Sequence, residues 1–283
     1  MYIYKGWSEV LRGLGFYTNT PTITLFKKYN SIQKSHLKQQ LDKERPILFL
    51  GMTEGDTKLR KTLTEKGYSL HPSTEFNTFI LDRSMYLPKV DKFLTTQGVK
   101  EPTRLYFDSL KDFNADKIGE VFNNKDVVLK VGNLHASENK WKLQYPYKLP
   151  NVSRDSLNMS IEIEGYMPDA RSIRVGYLGY NPKKKDVFIT EQINHSTWLK
   201  NNCPDEERTY NLGTLAEANI PYIDTLIELT LAIGHKFQSE ILGCDWVVNE
   251  KGFMLLELND IIGYPTSDIT FELFSKYVKN LIK

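Results

Sequence analysis

Cysteine is almost absent. Cys203 and Cys244 are the only two in 283 residues, too few for a disulfide framework, so a reducing compartment is expected and both thiols are read as unreactive. No charge of one sign dominates: 37 Lys and Arg against 35 Asp and Glu leave a formal +2. That disfavours a nucleic-acid coat or a polybasic membrane binder. No apolar run approaches the roughly 20 residues that span a bilayer, and the start, MYIYKGWSEVLRGLG, lacks the apolar core of a secretion signal. Internal repeats and low-complexity tracts are missing too. What remains, 40% hydrophobic and 25% charged, is the balance of a folded protein with a core of its own, expected in the cytoplasm.

Local pattern organises the chain. Pro46–Gly51 is a short apolar run closed by glycine and reads as a buried strand. Thr57–Lys66 reads as a helix stopped at Gly67, and Phe76–Leu81 as a second strand, which together suggest a small α/β layer. Residues 1–45 carry no motif. Further on, Val127–Val131, Ser160–Glu164, Ser172–Leu178 and Phe188–Ile193 read as strands. Ile223–Glu240 has apolar residues at helical spacing, and Phe271–Ile282 forms a closing helix. Cys244–Val248 and Met254–Leu258 flank Asn249-Glu250-Lys251-Gly252, the signal of a hairpin. The segments 181–185 and 201–208 read as loops.

Three places bear chemistry. In the hairpin, Glu257 and Asn259 stand two residues apart and share a strand face, and the neighbouring strand can bring Asp245 beside them. Two carboxylates and an amide oxygen are hard donors suited to Mg²⁺; a solvated polar strand face is the competing interpretation. Lys130 emerges from a β-branched strand and needs an anion, or else reaches into water. Arg171 and Arg174, near Glu164, offer forks for phosphate or carboxylate, or form an alternating-charge edge strand.

In this order the pieces resemble the ATP-grasp superfamily. Val90-Asp91-Lys92-Phe93-Leu94 with Gly98-Val99-Lys100-Glu101-Pro102-Thr103 is similar to its opening DK…G(I/V)…P-x-T pattern. Val127–Lys140 is similar to the strand and lid VVVKMGHAHSGMGK of synapsins. Ile163–Met167 resembles their hinge TEPFI, and Ile173-Arg174-Val175 their D(I/V)RV. Asp245, Glu257 and Asn259 are spaced much as in ribosomal-protein glutamate ligases and glutathione synthetases, and the ligase-type E-x-N is absent from synapsins.

The resemblance covers residues 88–283. It implies an α/β (α+β) ATP-grasp fold with an N-terminal domain (1–88) before the ATP-grasp domain (89–283), itself a central ATP subdomain (about 89–164) and a C-terminal metal-bearing subdomain (about 165–283). It further implies ATP and two Mg²⁺ ions. Lys92, Lys130 and Lys140 would hold phosphates, and Glu164 with Tyr166 the adenine. Arg174 would face the transferred phosphoryl group together with Lys130 as the catalytic pair, and Asp245, Glu257 and Asn259 would hold metal. The implied activity is an ATP-dependent carboxylate–amine ligase working through an acyl phosphate, on a small-molecule acid and amine or on a peptide or protein end. A small-molecule kinase and a non-catalytic, synapsin-like ATP-binding module stay open. The lid, 133–140, has no glycine, so its contacts would fall to His135, Ser137 and Lys140. In the substrate-side segment 194–202, Lys200 and Asn201 are candidates for a carboxylate. A homo-oligomer is compatible with all of this.

Overall fold

The computed structural model describes residues 2–4, 24–26, 42–49, 54–100, 102–132, 139–195, 197–198, 205–260 and 267–281. Three sheets follow one another along the chain. The first is parallel, ordered β2-β1-β3-β4, from β1 (Tyr2–Tyr4), β2 (Thr24–Phe26), β3 (Ile47–Phe49) and β4 (Leu70–His71). Helix α1 (Glu54–Glu65) joins β3 to β4 and packs Leu59 and Leu63, one turn apart, on Ile47 and Phe49.

Phe76–Leu81 is not the strand that its apolar content suggested. It lies largely in helix α2 (Thr74–Phe79), and the strand here is the shorter β4 before it. Ser73 starts the helix by accepting the Phe76 N–H at 3.4 Å. A short run with Phe76 and Ile80 four residues apart fits either period, and the cap decides for the helix. Helix α3 (Arg83–Thr96) follows, capped by Asp82, whose Oδ1 accepts the Ser84 N–H at 2.9 Å. Its buried face carries Arg83, Leu87, Val90, Asp91 and Leu94.

The second sheet, ordered β5-β8-β6-β7, contains β5 (Arg104–Phe107), β6 (Val127–Val131), β7 (Lys140–Leu143) and β8 (Ile161–Gly165), all antiparallel. One face, with Ile161, Ile163, Val127, Leu129 and Val131, packs on helix α4 (Ala115–Phe122) through Ile118 and Phe122. The other face carries the charges of the alternating Ile-Glu-Ile-Glu sequence of β8.

The third sheet, ordered β11-β10-β9-β12-β13, is antiparallel: β9 (Arg171–Leu178), β10 (Val187–Ile193), β11 (Glu206–Tyr210), β12 (Ile241–Asn249) and β13 (Gly252–Asn259). Strand β11 occupies part of the segment read as a loop; at the sheet edge its Glu206, Glu207 and Arg208 are exposed, so no apolar alternation announced it. Helix α5 (Ile223–Lys236) covers the apolar face, where Ile173, Val175, Tyr177, Cys244, Trp246 and Val248 are buried. Helix α6 (Asp268–Leu281) closes the chain. Tyr86, Leu87, Val90 and Leu94 of α3 join this third core, so the boundary expected at 88/89 falls inside α3. Among the described residues no helix is long and apolar enough to cross a membrane.

Candidate active site

The charged face of the second sheet and the polar face of the third meet across a cleft of about 350 Å³. Val128, Lys130, Lys140, Glu164 and Gly165 line one wall; Val247, Met254, Leu256 and Glu257 line the other. Tyr166, Met167, Asp169 and Ala170 form the crossing between them, with His195, Thr197 and Trp198 at the rim.

Cross-strand register explains why the charges gather. Lys130 stands opposite Lys140 on β7 and Glu162 on β8, while Glu164 stands opposite Val128 and Arg104. Lys130 does not reach into water: it is 3% exposed. Its Nζ lies 2.8 Å from Glu164 Oε1 and 3.5 Å from Glu162 Oε1. Glu164 is therefore a counter-ion of Lys130. Burial alone would push Glu162 up, but Lys130, Arg104 and Arg83 hold it below the usual carboxylate value. Lys140 is pushed down by burial, against the pull of Glu257.

The hairpin brings the three expected metal residues together. Asp245 and Glu257 are cross-strand partners on β12 and β13, and Asn259 Nδ2 donates to Asp245 Oδ2 at 3.3 Å. Burial alone would raise Glu257, yet Lys140, Arg83 and Lys130 bring it down to about 2. Asp245 is raised by burial, with Glu257 adding to the rise and Arg174 opposing it. Among the described residues no group of three or more His, Cys, Asp or Glu side chains is placed to hold a metal. The donor set here is two carboxylates and one amide oxygen, which fits a hard cation that keeps water and phosphate as its other ligands.

Arg174 stands next to Asp245 across β9 and β12 and grips it with both arms, Nε to Oδ1 at 2.6 Å and Nη2 to Oδ2 at 2.8 Å. It orients the carboxylate and does not line the cleft. Arg171 faces the other side of β9, on Glu191 at 2.7 and 2.9 Å, and leaves the site altogether.

Lys92 also differs from expectation. It sits on the exposed side of α3 and is not among the cleft residues. The cation that this helix sends inward is Arg83, with Nη1 3.3 Å from Glu257 Oε2 and Nη2 donating to the Gly132 carbonyl at 3.1 Å. Helical spacing over Arg83, Leu87, Val90 and Leu94 was the available signal, since Lys92 is out of phase with it. Arg104 was missed as well; it donates to Asp91 on α3 and to the Leu255 carbonyl on β13, tying helix and both sheets together. The alternation of β8 pointed to Glu162 as much as to Glu164.

At the other end, Tyr166 meets the Trp198 ring edge-on with centroids 6.2 Å apart, and Lys142 Nζ lies 3.8 Å over the Tyr166 ring. Residues 133–138 of the expected lid, together with Lys200, Asn201 and Cys203, lie outside the described residues; Lys140, at the end of that segment, lines the cleft. Cys244 is buried, and burial pushes its thiol up, as an inert thiol requires.

No family profile matches the sequence, and no curated protein matches it. Solved structures do. The D-alanine–D-alanine ligase of Bacillus anthracis superposes with a TM-score of 0.67 over 99% of this chain and 95% of its own, at 13% identity. The VanG D-Ala:D-Ser ligase of Enterococcus faecalis also gives 0.67, over 99% and 97%, at 13% identity. The ATP-grasp ligase PsnB in complex with a minimal precursor gives 0.64 over 100% and 98%, at 11% identity. The chain has the ATP-grasp fold. In this ATP-grasp structure the cleft lies between the second and third sheets, and the likeness extends through the N-terminal layer, beyond the residues 88–283 that carried the sequence resemblance.

Proposed function

We propose that this protein is an ATP-dependent carboxylate–amine ligase. The observation that carries the reading is one cleft with the buried Lys130 and the half-buried Lys140 on one wall and Glu257 on the other, with Asp245 and Asn259 beside Glu257. The lysines would neutralise phosphate oxygens, each from a fixed strand position, so that little reorganisation accompanies the reaction. Asp245, Glu257 and Asn259 would hold Mg²⁺, which when bound draws charge from the phosphoryl oxygens. Arg174 keeps Asp245 aimed at that position, and Arg83 does the same for Glu257. The base would lie at the Gly165–Met167 crossing, against Tyr166 and Trp198.

A carboxylate oxygen of the substrate would attack the γ-phosphorus as ADP departs. An amine would then attack the acyl carbon as phosphate departs and lose a proton to solvent. Water must be excluded while the activated acid waits, which accords with a cleft walled on two sides by sheets. Solved neighbours of this fold include a D-alanine–D-alanine ligase complexed with ATP and PsnB complexed with its minimal precursor, Mg and ADP. One group joins small amino acids and the other carries a peptide precursor. The substrates proposed here are accordingly a small-molecule acid and amine, or a peptide end.

The test is ADP release from Mg²⁺–ATP with pools of amino acids and short peptides, followed by mass spectrometry for an amide. Amide formed by the wild type and lost in Glu257→Gln is the expected result. ADP release with a phosphorylated product and no amide would favour a kinase. No ADP release with any pool, alongside measurable ATP binding, would favour a binding module.

A further inference from the structure

Strand β13 is the last strand of its sheet, and its ladder with β12 shifts register between Asp245 and Trp246, beside Glu257. The ladder resumes with Asp245 opposite Glu257, one residue out of step with the pairing on the other side of the shift, and among the described residues no further strand holds the free edge of β13. A slip of one residue would turn Glu257 and Asn259 to the wrong face. That edge is held by α2 and α3. Arg83 Nη1 donates to Glu257 Oε2 at 3.3 Å, the Tyr86 hydroxyl accepts the Leu258 N–H at 3.1 Å, and Asn77 Nδ2 donates to Asp260 Oδ2 at 2.6 Å. Tyr86, Asn77 and Asp260 are all buried. The three contacts fall on residues 257, 258 and 260 and bracket Asn259.

We propose that α2 and α3 form a register clamp on the metal-bearing strand, with Asn77 and Tyr86 as its positioning residues. Neither lines the cleft; Tyr86 acts on Glu257 and Asn259 through the backbone of β13, and Asn77 acts through the Asp260 carboxylate just past the strand's end. The N-terminal layer then sets the geometry of the metal position as well as flanking the nucleotide domain. This inference rests on the reading of the cleft as an Mg²⁺–nucleotide site.

The experiment is calorimetry of ADP binding to the full chain, in Mg²⁺ and in EDTA. The variants are Tyr86→Phe, Asn77→Asp and the exchange Asn77→Asp with Asp260→Asn. Asn77→Asp sets two carboxylates face to face, while the exchange restores one donor and one acceptor across the same gap. The wild type should bind ADP more tightly with Mg²⁺ than without. Tyr86→Phe and Asn77→Asp should lose about tenfold of that gain, the size of a missing buried hydrogen bond, while their affinities in EDTA stay within about twofold. The exchange should recover the gain. Tyr86→Phe keeps the ring in place and carries the test even where Asn77→Asp fails to fold. A full Mg²⁺ gain in Tyr86→Phe, equal losses with and without Mg²⁺, or an exchange variant that folds without recovering would overturn the clamp alone. A wild type with no Mg²⁺ gain would overturn both the clamp and the metal reading beneath it.

Discussion

Replacing Lys130 by methionine keeps the length of the side chain and removes its charge from between two buried carboxylates. Lys130 Nζ holds Glu164 at 2.8 Å and Glu162 at 3.5 Å, and Glu164 is 2% exposed. Breaking a buried pair from one side costs about 3–5 kcal/mol, because the abandoned charge keeps its desolvation penalty. Here the cost should fall near the lower end. Arg104 Nε remains 3.3 Å from Glu162 and 3.6 Å from Glu164, and Arg83 Nε remains 3.9 Å from Glu162. A loss of about 3 kcal/mol corresponds to roughly 6–12 °C in Tm for a chain of this size. The double variant Lys130→Met/Glu164→Gln leaves no charge stranded at Glu164 and should recover at least about 1 kcal/mol of that loss. Thermal melts at pH 7 followed by circular dichroism, on the wild type, both single variants and the double, give the coupling directly. The same proteins should show ADP affinity reduced about tenfold or more wherever Lys130 is missing, since a charge-assisted phosphate contact is lost. A single-variant Tm within about 2 °C of wild type, below 1 kcal/mol on the same scale, would refute the buried-pair reasoning. So would a double variant whose loss is the sum of the two singles.

Glu257, at about 2 in the folded chain, lies below its ordinary 4.5, so its stabilisation is whole above about pH 4.5 and is lost as pH falls toward 2. Glu162 is shifted the same way. Asp245, shifted up, works in the opposite sense, its burial cost being relieved by acid. Glu257→Gln should flatten the fall in Tm between pH 5 and pH 2; an unchanged acid limb would remove Glu257 as its source. A methyl group at Gly234 on α5 would stand 1.7 Å from the Tyr177 hydroxyl, which donates to the Ser239 carbonyl at 3.0 Å. Gly234→Ala should therefore cost about 1–3 kcal/mol in a urea melt by overpacking, and Gly234→Ala with Tyr177→Phe should cost less. Lys140→Met should weaken ADP binding and lower Tm by less than Lys130→Met does, since it relieves the burial cost of the ammonium while Arg83 and Lys130 still face Glu257; a fall in Tm like that of Lys130→Met would make Lys140 a structural cation.

Much of this protein was legible in the sequence because it is local. The run Val127–Val131, the helix read over Ile223–Glu240 and the hairpin around Asn249–Gly252 each carry their own period or turn chemistry, and all three stand in the structure, the helix ending at Lys236. The period of two also placed Glu257 and Asn259 on one face, and the hairpin set Asp245 beside Glu257. The partner of each charge was a different matter. Lys92 and Arg83 share a helix, and only its packing into the third core decides that Arg83 turns inward. Arg171 and Arg174 share a strand but face opposite ways, one to Glu191 and the other to Asp245. Glu164, Lys130, Arg104 and Asp91 come from three strands and a helix, and their pairing follows from cross-strand register and the meeting of two sheets. Secondary-structure period reports which face a residue shares with its neighbours in sequence. Which charge waits across that face depends on burial, because a buried ion must find its counter-ion wherever the fold brings one within reach.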